Sequence, residues 1–252
     1  MKLIINGAGG KMGQIISDMA IKSGENIVAS VDVMFNRRDK DLFTPDKFNR
    51  LEEFTGEADC VIDFSNHKAA ESLVKYCVKK NFPVLIASTG HDESEIKLIH
   101  EAAQKIPVFM SPNMSIGVAL VADLAERVAK IFTPCDIELI ESHHNQKLDV
   151  PSGTALMLAK RIQEAKPESV FNIGRHENGK RTQNEIGIHS LRYGSEVGTH
   201  EIIFSNGLET ITIKHDAKNR ALFANGALSA AKWLIKQPAG FYDMRNFLAS
   251  EA

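Results

Sequence analysis

The sequence predicts an α/β fold: an N-terminal Rossmann-like, doubly wound parallel sheet and a second α+β domain with a mixed sheet. Three observations predict it. Between Lys2 and Met110, short β-branched runs alternate with segments of helical period, the pattern of repeated βα units. A glycine-rich turn, Gly7-Ala8-Gly9-Gly10-Lys11-Met12-Gly13, separates the first such run from the first helical segment. Late in the chain, strand candidates follow one another with no long helix between them, which a purely parallel sheet does not allow.

Lys2 to Asn6 reads as a buried strand. Met12, Ile15, Ile16, Met19 and Ala20 then recur at spacings of three and four, so a helix follows, with Gly24 where it would stop. Ile27 to Val33 reads as the second strand, Ala58 to Phe64 as the third and Pro83 to Ala87 as the fourth, with helices around Ala69 to Val78 and Glu93 to Gln104. Val108 to Met110 is one more strand, after which Pro112 and Asn113 punctuate the chain before a helix from Ile116 to Phe132. Ile137 to Ile140 is strand-like, Thr154 to Gln163 helical, and three strands are predicted at Ile186 to Arg192, His200 to Phe204 and Glu209 to Lys214. Turns such as Asn206-Gly207 make their sheet antiparallel or mixed. Gly174 to Asn184 reads as a mobile surface loop, and a last helix near Phe223 to Ile235 as a return to the first domain. The expected domains are therefore 1–114 plus 223–252, binding a dinucleotide, and 115–222, binding a substrate.

Composition narrows the function classes. With 252 residues, 43% hydrophobic, 25% charged and a net charge of -2, the chain is an ordinary globular protein with no overall positive field, which argues against nucleic acid as its main partner. Leu3-Ile4-Ile5 is too short for a signal h-region, and no stretch approaches the roughly 18 apolar residues of a membrane span. The expected location is the cytoplasm, with no membrane partner. Cys60, Cys77 and Cys135 are widely spaced and lack a C-x-x-C pair, so they read as buried thiols rather than a disulfide framework or metal site.

The glycine turn lets the backbone approach a pyrophosphate, which the N–H groups and positive end of the following helix can hold. Counted from Gly7 and Gly9, the third position of G-x-G-x-x-G falls on Met12; the glycines instead stand at 7, 10 and 13. Asp32, nineteen residues past Gly13 near the end of the second strand, is placed to accept both hydroxyls of an adenosine ribose. Lys11, Arg37 and Arg38 could accept a 2′-phosphate, so NADH and NADPH both remain open.

A second constellation is E-S-H-H-N-Q-K-L-D-V-P-S-G-T-A, Glu141 to Ala155. It follows a strand, so His143 and His144 emerge at a strand end, where ligands bind in such sheets. Ser152 is placed as an N-cap, and Gly153 and Thr154 would open the next helix with unpaired N–H groups, a seat for a carboxylate. Lys147 adds a positive charge, and a histidine offers a proton near neutral pH. Hydride from a cofactor with a proton from a side chain reduces a polarised C=N or C=C bond. Zinc would need H-E-x-x-H or a third spaced ligand, and H-H-x-x-K offers neither, so no metal is expected. Taken singly, His-His is as well explained as a surface pair and Pro-Ser-Gly-Thr as a helix start; their co-occurrence favours a site. Ser72 to Lys75 fits S-x-x-K on an amphipathic helix and Asn113 to Ser115 fits a glycosylation sequon; neither gains a role.

These residues carry a family resemblance. The Glu141 to Ala155 segment resembles the signature E-x-H-H-x-x-K-x-D-x-P-S-G-T-A of the 4-hydroxy-tetrahydrodipicolinate reductases, also called dihydrodipicolinate reductases, and G-A-G-G-K-M-G, V-I-D-F-S, S-T-G, the Ser111 to Ser115 segment and F-A-N-G-A support it along nearly the whole chain. The resemblance implies a reductase of the diaminopimelate route to lysine. It implies His143 as the acid/base residue, Lys147 as the proton donor, and His144, Ser152, Gly153 and Thr154 around the carboxylates of a cyclic dicarboxylate substrate. For the cofactor it implies Gly7, Ala8, Gly9, Gly10, Lys11 and Met12 at the pyrophosphate and Asp32 at the ribose. Ala87, Ser88 and Thr89, with Ser111, Pro112, Asn113 and Met114, would surround the nicotinamide. It further implies a homotetramer built through the second domain's sheet. Ala87-Ser88-Thr89-Gly90 departs from the family's frequent Gly-Thr-Thr-Gly, and Asn66 stands where an arginine is frequent; both bear on nicotinamide contacts and 2′-phosphate preference. The other classes that fit are an NAD(H)-binding regulator without catalysis and an imine-reducing dehydrogenase acting on another anionic substrate.

Overall fold

The computed structural model describes residues 1–35 and 46–251; Arg37 and Arg38 lie outside the described residues. In chain order the elements are β1 (Lys2–Asn6), α1 (Lys11–Lys22), β2 (Asn26–Val31), β3 (Lys47–Phe48), β4 (Cys60–Asp63), α2 (Ala70–Lys80), β5 (Val84–Ile86), α3 (Glu93–Ala103) and β6 (Pro107–Met110). There follow α4 (Ile116–Ile131), β7 (Asp136–His143), α5 (Gly153–Ala165), β8 (Val170–Ile173), β9 (Glu185–Arg192), β10 (Gly198–Ser205), β11 (Thr210–Ala217), α6 (Ala221–Leu234), β12 (Gly240–Tyr242) and α7 (Met244–Glu251). Two compact units result: Met1–Ile116 with Ala221–Ala252, and Gly117–Arg220. No described helix is long and apolar enough to cross a membrane.

In the first unit seven parallel strands run in the order β12-β6-β5-β4-β1-β2-β3. The chain builds outward from β1 in one direction and then from β4 in the other, so the order reverses between these neighbours; their carboxyl ends, Asn6 beside Asp63, mark the switch point. Alternate strand residues serve opposite faces. Ile4, Val61, Val84, Ile86 and Val108 pack on Leu73, Val74 and Cys77 of α2 and Ile99 and Ala102 of α3. On the other face Leu3, Ile5, Ile62, Leu85 and Phe109 are buried as well, and Phe109 meets Trp233 of α6 edge-on at 6.4 Å. The helices end where the sequence provides stops: Gly24 at φ +75 after α1, and Asn81 at φ +55 after α2. Asp92 and Glu95 form a capping box at the start of α3.

In the second unit the order is β11-β10-β7-β9-β8, with β7, β9 and β8 parallel and β10 and β11 antiparallel to their neighbours. One face buries Ile137, Leu139, Ile186, Ile188, Ile202 and Phe204 against Ala125 and Ala129 of α4 and Leu158, Ala159 and Ile162 of α5.

The differences from the sequence reading have local causes. β2 ends at Val31 rather than Val33, because the chain turns at Asp32, with the Phe35 N–H donating to the Asp32 carbonyl at 3.1 Å. β7 continues past Ile140 to His143, paired with β10 as far as Ser142 and with β9 to its end. β3, β8, β12 and α7 carry no pattern that the sequence reading used. The stretch from Gly174 to Asn184 joins two parallel strands without regular structure, but it is tied down: Arg181 bonds the Ile137 carbonyl at 3.1 Å and Asp136 at 2.9 Å, and also pairs with Glu138.

Candidate active site

Each unit carries chemistry at the carboxyl ends of its strands. In the first, the glycine turn is shaped by three glycines in the frame 7, 10 and 13. Gly7 has φ +81, and a Cβ there would lie 2.8 Å from the Phe64 carbonyl, at the end of β4. A Cβ on Gly13 would lie 2.0 Å from the Gly7 oxygen, so this glycine is what lets α1 start directly on the strand. The N-cap is Gly10 with no side-chain cap, and the first turn holds no acid. The N–H groups at the start of α1 have no intrahelical acceptors, and with the positive end of the helix they suit a pyrophosphate. Asp32 follows β2, half-buried, and its two oxygens accept the Gly9 N–H at 3.0 Å and the Met34 N–H at 2.9 Å. Each oxygen keeps a further lone pair for a ribose hydroxyl.

Ala87, Ser88 and Thr89 follow β5, and Ser111 to Met114 follow β6, the neighbouring strand. Ser111 donates to the Asn113 carbonyl at 2.8 Å, and the Asn113 side chain accepts the Ser115 N–H at 2.8 Å, so the second loop is internally fixed. Gly226 explains F-A-N-G-A: a Cβ there would lie 1.7 Å from the Met114 carbonyl, so α6 packs directly on this loop. At the base of the first loop lies a residue to which the sequence reading gave no role. Asp63, 1% exposed, accepts Asn6 Nδ2 at 2.7 Å, Ser65 Oγ at 2.5 Å and Ser88 Oγ at 2.6 Å, joining the ends of β1, β4 and β5.

In the second unit Glu141 and His143 lie two apart on β7 and so on one face. Glu141 is fully buried and its carboxylate has four donors. Oε2 accepts His143 Nδ1 at 2.5 Å and Arg192 Nη1 at 2.8 Å, while Oε1 accepts Arg192 Nη2 at 2.7 Å and the Ser152 N–H at 3.1 Å. Burial alone would raise its pKa; the bonds from His143 and Arg192 outweigh it and hold the carboxyl well below the usual range. Ser152 caps α5, its hydroxyl accepting the Ala155 N–H at 3.2 Å. The same hydroxyl lies 3.2 Å from His200 Nε2, and the rings of His200 and His143 meet edge-on at 5.3 Å. Burial first, and the neighbouring His143 second, push His200 down to about 3. It stays neutral at physiological pH and adds no charge beside His143.

Lys147 is not a bare cation. Its Nζ pairs with Asp149 at 2.8 Å, and its N–H closes a turn on the His144 carbonyl at 3.1 Å. Arg192 Nη2 also reaches the Asp149 carbonyl oxygen at 2.7 Å, so the arginine braces the loop that carries Lys147. His144 is half-buried, Gly153 exposed and Thr154 half-buried at the helix start. The structure thus joins His143, Ser152 and Lys147 through Glu141, Arg192 and Asp149. Glu141 stood in the quoted segment without a role, and Arg192 and His200 were read as strand residues. Only the strand register, which sets Arg192 opposite His143 and His200 opposite Glu141, reveals them. Among the described residues no group of three or more His, Cys, Asp or Glu side chains could hold a metal.

Comparison with known proteins agrees along the whole chain. Residues 1–114 match the family model for the N-terminus of dihydrodipicolinate reductase, and residues 117–248 that for its C-terminus. The 4-hydroxy-tetrahydrodipicolinate reductase of Caldanaerobacter subterraneus subsp. tengcongensis is 44% identical over 253 residues, covering 98% of both chains. That of Clostridium tetani is 42% identical, over 99% of this chain and 98% of its own. Among solved structures, a dipicolinate-bound dihydrodipicolinate reductase from Paenisporosarcina sp. TG-14 superposes with a TM-score of 0.82 at 25% identity, over 96% of this chain and 97% of that one. The two matched family models, near full-length identity and shared fold give one answer: the chain belongs to the dihydrodipicolinate reductase family.

Proposed function

We propose that this chain is an NAD(P)H-dependent 4-hydroxy-tetrahydrodipicolinate reductase, converting its substrate, through the cyclic unsaturated dicarboxylate, to tetrahydrodipicolinate. The observation that carries the reading is the cluster of His143, Ser152 and Lys147 around one helix start, chemistry that a nucleotide-binding regulator has no use for. The first unit fits the cofactor: the room kept by Gly7 and Gly13 and the uncapped start of α1 suit a pyrophosphate, and Asp32 suits the adenosine ribose. Gly7 to Met12 and Asp32 would hold these groups, and Ala87 to Thr89 with Ser111 to Met114 the nicotinamide end. When bound, NADH or NADPH supplies the hydride.

The chain's own residues then bind the dicarboxylate and manage its proton. The start of α5, at Ser152, Gly153 and Thr154, receives one carboxylate with help from His144. Lys147 exchanges its Asp149 partner for substrate and donates the proton, while His143 acts as the acid/base residue at Nε2, since Nδ1 is engaged by Glu141. Fixed donors stabilise the charge that develops as the polarised double-bond system takes up the hydride. Hydride transfer requires the nicotinamide site of one unit and the substrate site of the other to meet, and domain closure would serve that purpose. We place the enzyme in the cytoplasm as a homotetramer. Its subunit contacts would use the sheet face of the second unit turned away from α4 and α5, where Val170 and Leu191 are 56% and 48% exposed.

NADH or NADPH oxidation, followed by absorbance with synthase-generated substrate, tests the reading. His143→Gln and Lys147→Ala are each expected to lower turnover at least about 100-fold while the NADH dissociation constant stays within about 2-fold. Near-normal turnover in both variants removes these roles, and no oxidation of either cofactor by the native protein points to the regulator.

A further inference from the structure

We propose that Glu141 is the positioning residue of this site: its carboxylate fixes His143 with the proton on Nδ1 and Nε2 free to react, and by accepting the Ser152 N–H the same carboxylate anchors the start of α5, which carries the carboxylate seat. The inference rests on the reductase reading of His143. Of the four groups on Glu141, three cannot reverse their role. The two Arg192 nitrogens and the Ser152 N–H have no lone pair to offer, so each must donate. An ionised carboxylate has no proton to give back, so His143 Nδ1, 2.5 Å away, must donate too. The ring therefore exists in one tautomer, and Nε2 is the nitrogen that exchanges a proton with substrate. Glycine at position 198 leaves the ring the room it occupies: a Cβ there would lie 2.9 Å from His143 Nε2.

Arg192 is what makes the arrangement one-way. A carboxylate buried to 0% exposure without a cation would take up a proton and could then donate to the ring, releasing the tautomer. The bidentate fork prevents this, and its further bond to the Asp149 carbonyl ties the loop of Lys147 to the same anchor. Proton site and anion seat are thus set by a single side chain rather than independently.

Glu141→Gln tests this, because in either orientation its NH2 group meets an Arg192 nitrogen, together with His143 Nδ1 in one and the Ser152 N–H in the other. The variant leaves Arg192 unpaired and can fold poorly, so the charge-neutral pair Glu141→Gln/Arg192→Met is measured beside it, each also in the His143→Gln background. The expected result is a loss of kcat of about 100-fold in both, with the NADH dissociation constant unchanged and a melting transition near native in the neutral pair. In the His143→Gln background the same changes are expected to cost less than about 2-fold further, because a residue that acts through His143 has nothing left to position. Near-native kcat in the neutral pair overturns the inference, and so does a loss in the His143→Gln background as large as in the native one. If His143→Gln itself turns over normally, it is the underlying reading of His143 that fails.

Discussion

Asp63 and Glu141 are both buried carboxylates near the ends of strands, 1% and 0% exposed, yet they are built differently. Asp63 is held by neutral donors, an asparagine amide and two serine hydroxyls, from its own and adjacent strand ends. Glu141 is held by an arginine fork, a histidine ring and a backbone amide. Hydroxyls rotate and can accept as well as donate, whereas a guanidinium cannot. The neutral network braces loop ends and tolerates a change of sign; the charged one enforces a single proton arrangement. A protein that must keep one ring nitrogen protonated needs the second kind.

The largest effect should follow truncation. Glu141→Ala leaves Arg192 largely buried and unpaired, a cost of about 3–5 kcal/mol. Asp63→Ala leaves only neutral donors, two of which can turn elsewhere, at about 1–3 kcal/mol. Urea unfolding of the two variants, followed by a probe in each unit, measures the difference. Equal losses would show that the charge on Arg192 matters no more than a hydroxyl, and the contrast between the two sites would collapse.

Acid should separate the units next. His200 has a folded pKa of about 3 against an ordinary 6.5, so between these values the unfolded chain binds a proton that the folded chain refuses. This contribution is complete above about pH 6.5 and is lost as pH falls toward 3, at up to about 1.4 kcal/mol per pH unit. Glu141, also depressed in the fold, loses its contribution only below the ordinary glutamate range. His215, which pairs across from His200 on β11 and is lowered by burial, adds a smaller slope of the same sign. In His200→Gln the stability of the second unit should therefore fall less steeply between pH 6.5 and 5, read from urea midpoints. An unchanged slope would place the acid sensitivity elsewhere.

How much of this was legible beforehand depended on how local the cause was. The glycine turn announces itself, because Gly7 and Gly13 answer contacts within a few residues or at the next strand end. The longer strands and helices show their period. β3, β8 and β12 span 2, 4 and 3 residues and take their order from a paired neighbour rather than from any pattern of their own. In the site, His143, Lys147 and Ser152 stand close in sequence and form a motif. Arg192 is distant in the chain, and its link to Glu141 exists only through the β7–β9 register, which no local spacing encodes. Asp63 has the same difficulty: its partners Asn6 and Ser88 belong to separate strand ends.

The smallest effect sharpens the comparison most. In Asp63→Asn the retained oxygen can keep the three contacts made by Oδ1, from Asn6 Nδ2, the Ser65 hydroxyl and the Ser65 N–H at 3.3 Å. The new NH2 group then faces Ser88 Oγ, which now donates to Asp63 at 2.6 Å but can rotate to accept and turn its own proton toward His91 Nε2, 3.5 Å away. Every group keeps a partner, so the expected loss is below about 1 kcal/mol, with NADH affinity within about 2-fold of native. Glu141→Gln admits no such rearrangement, since both of its oxygens face Arg192. Should Asp63→Asn cost as much as Glu141→Gln, in stability or in turnover, the freedom of a hydroxyl to reverse its bond would not be what distinguishes the two carboxylates.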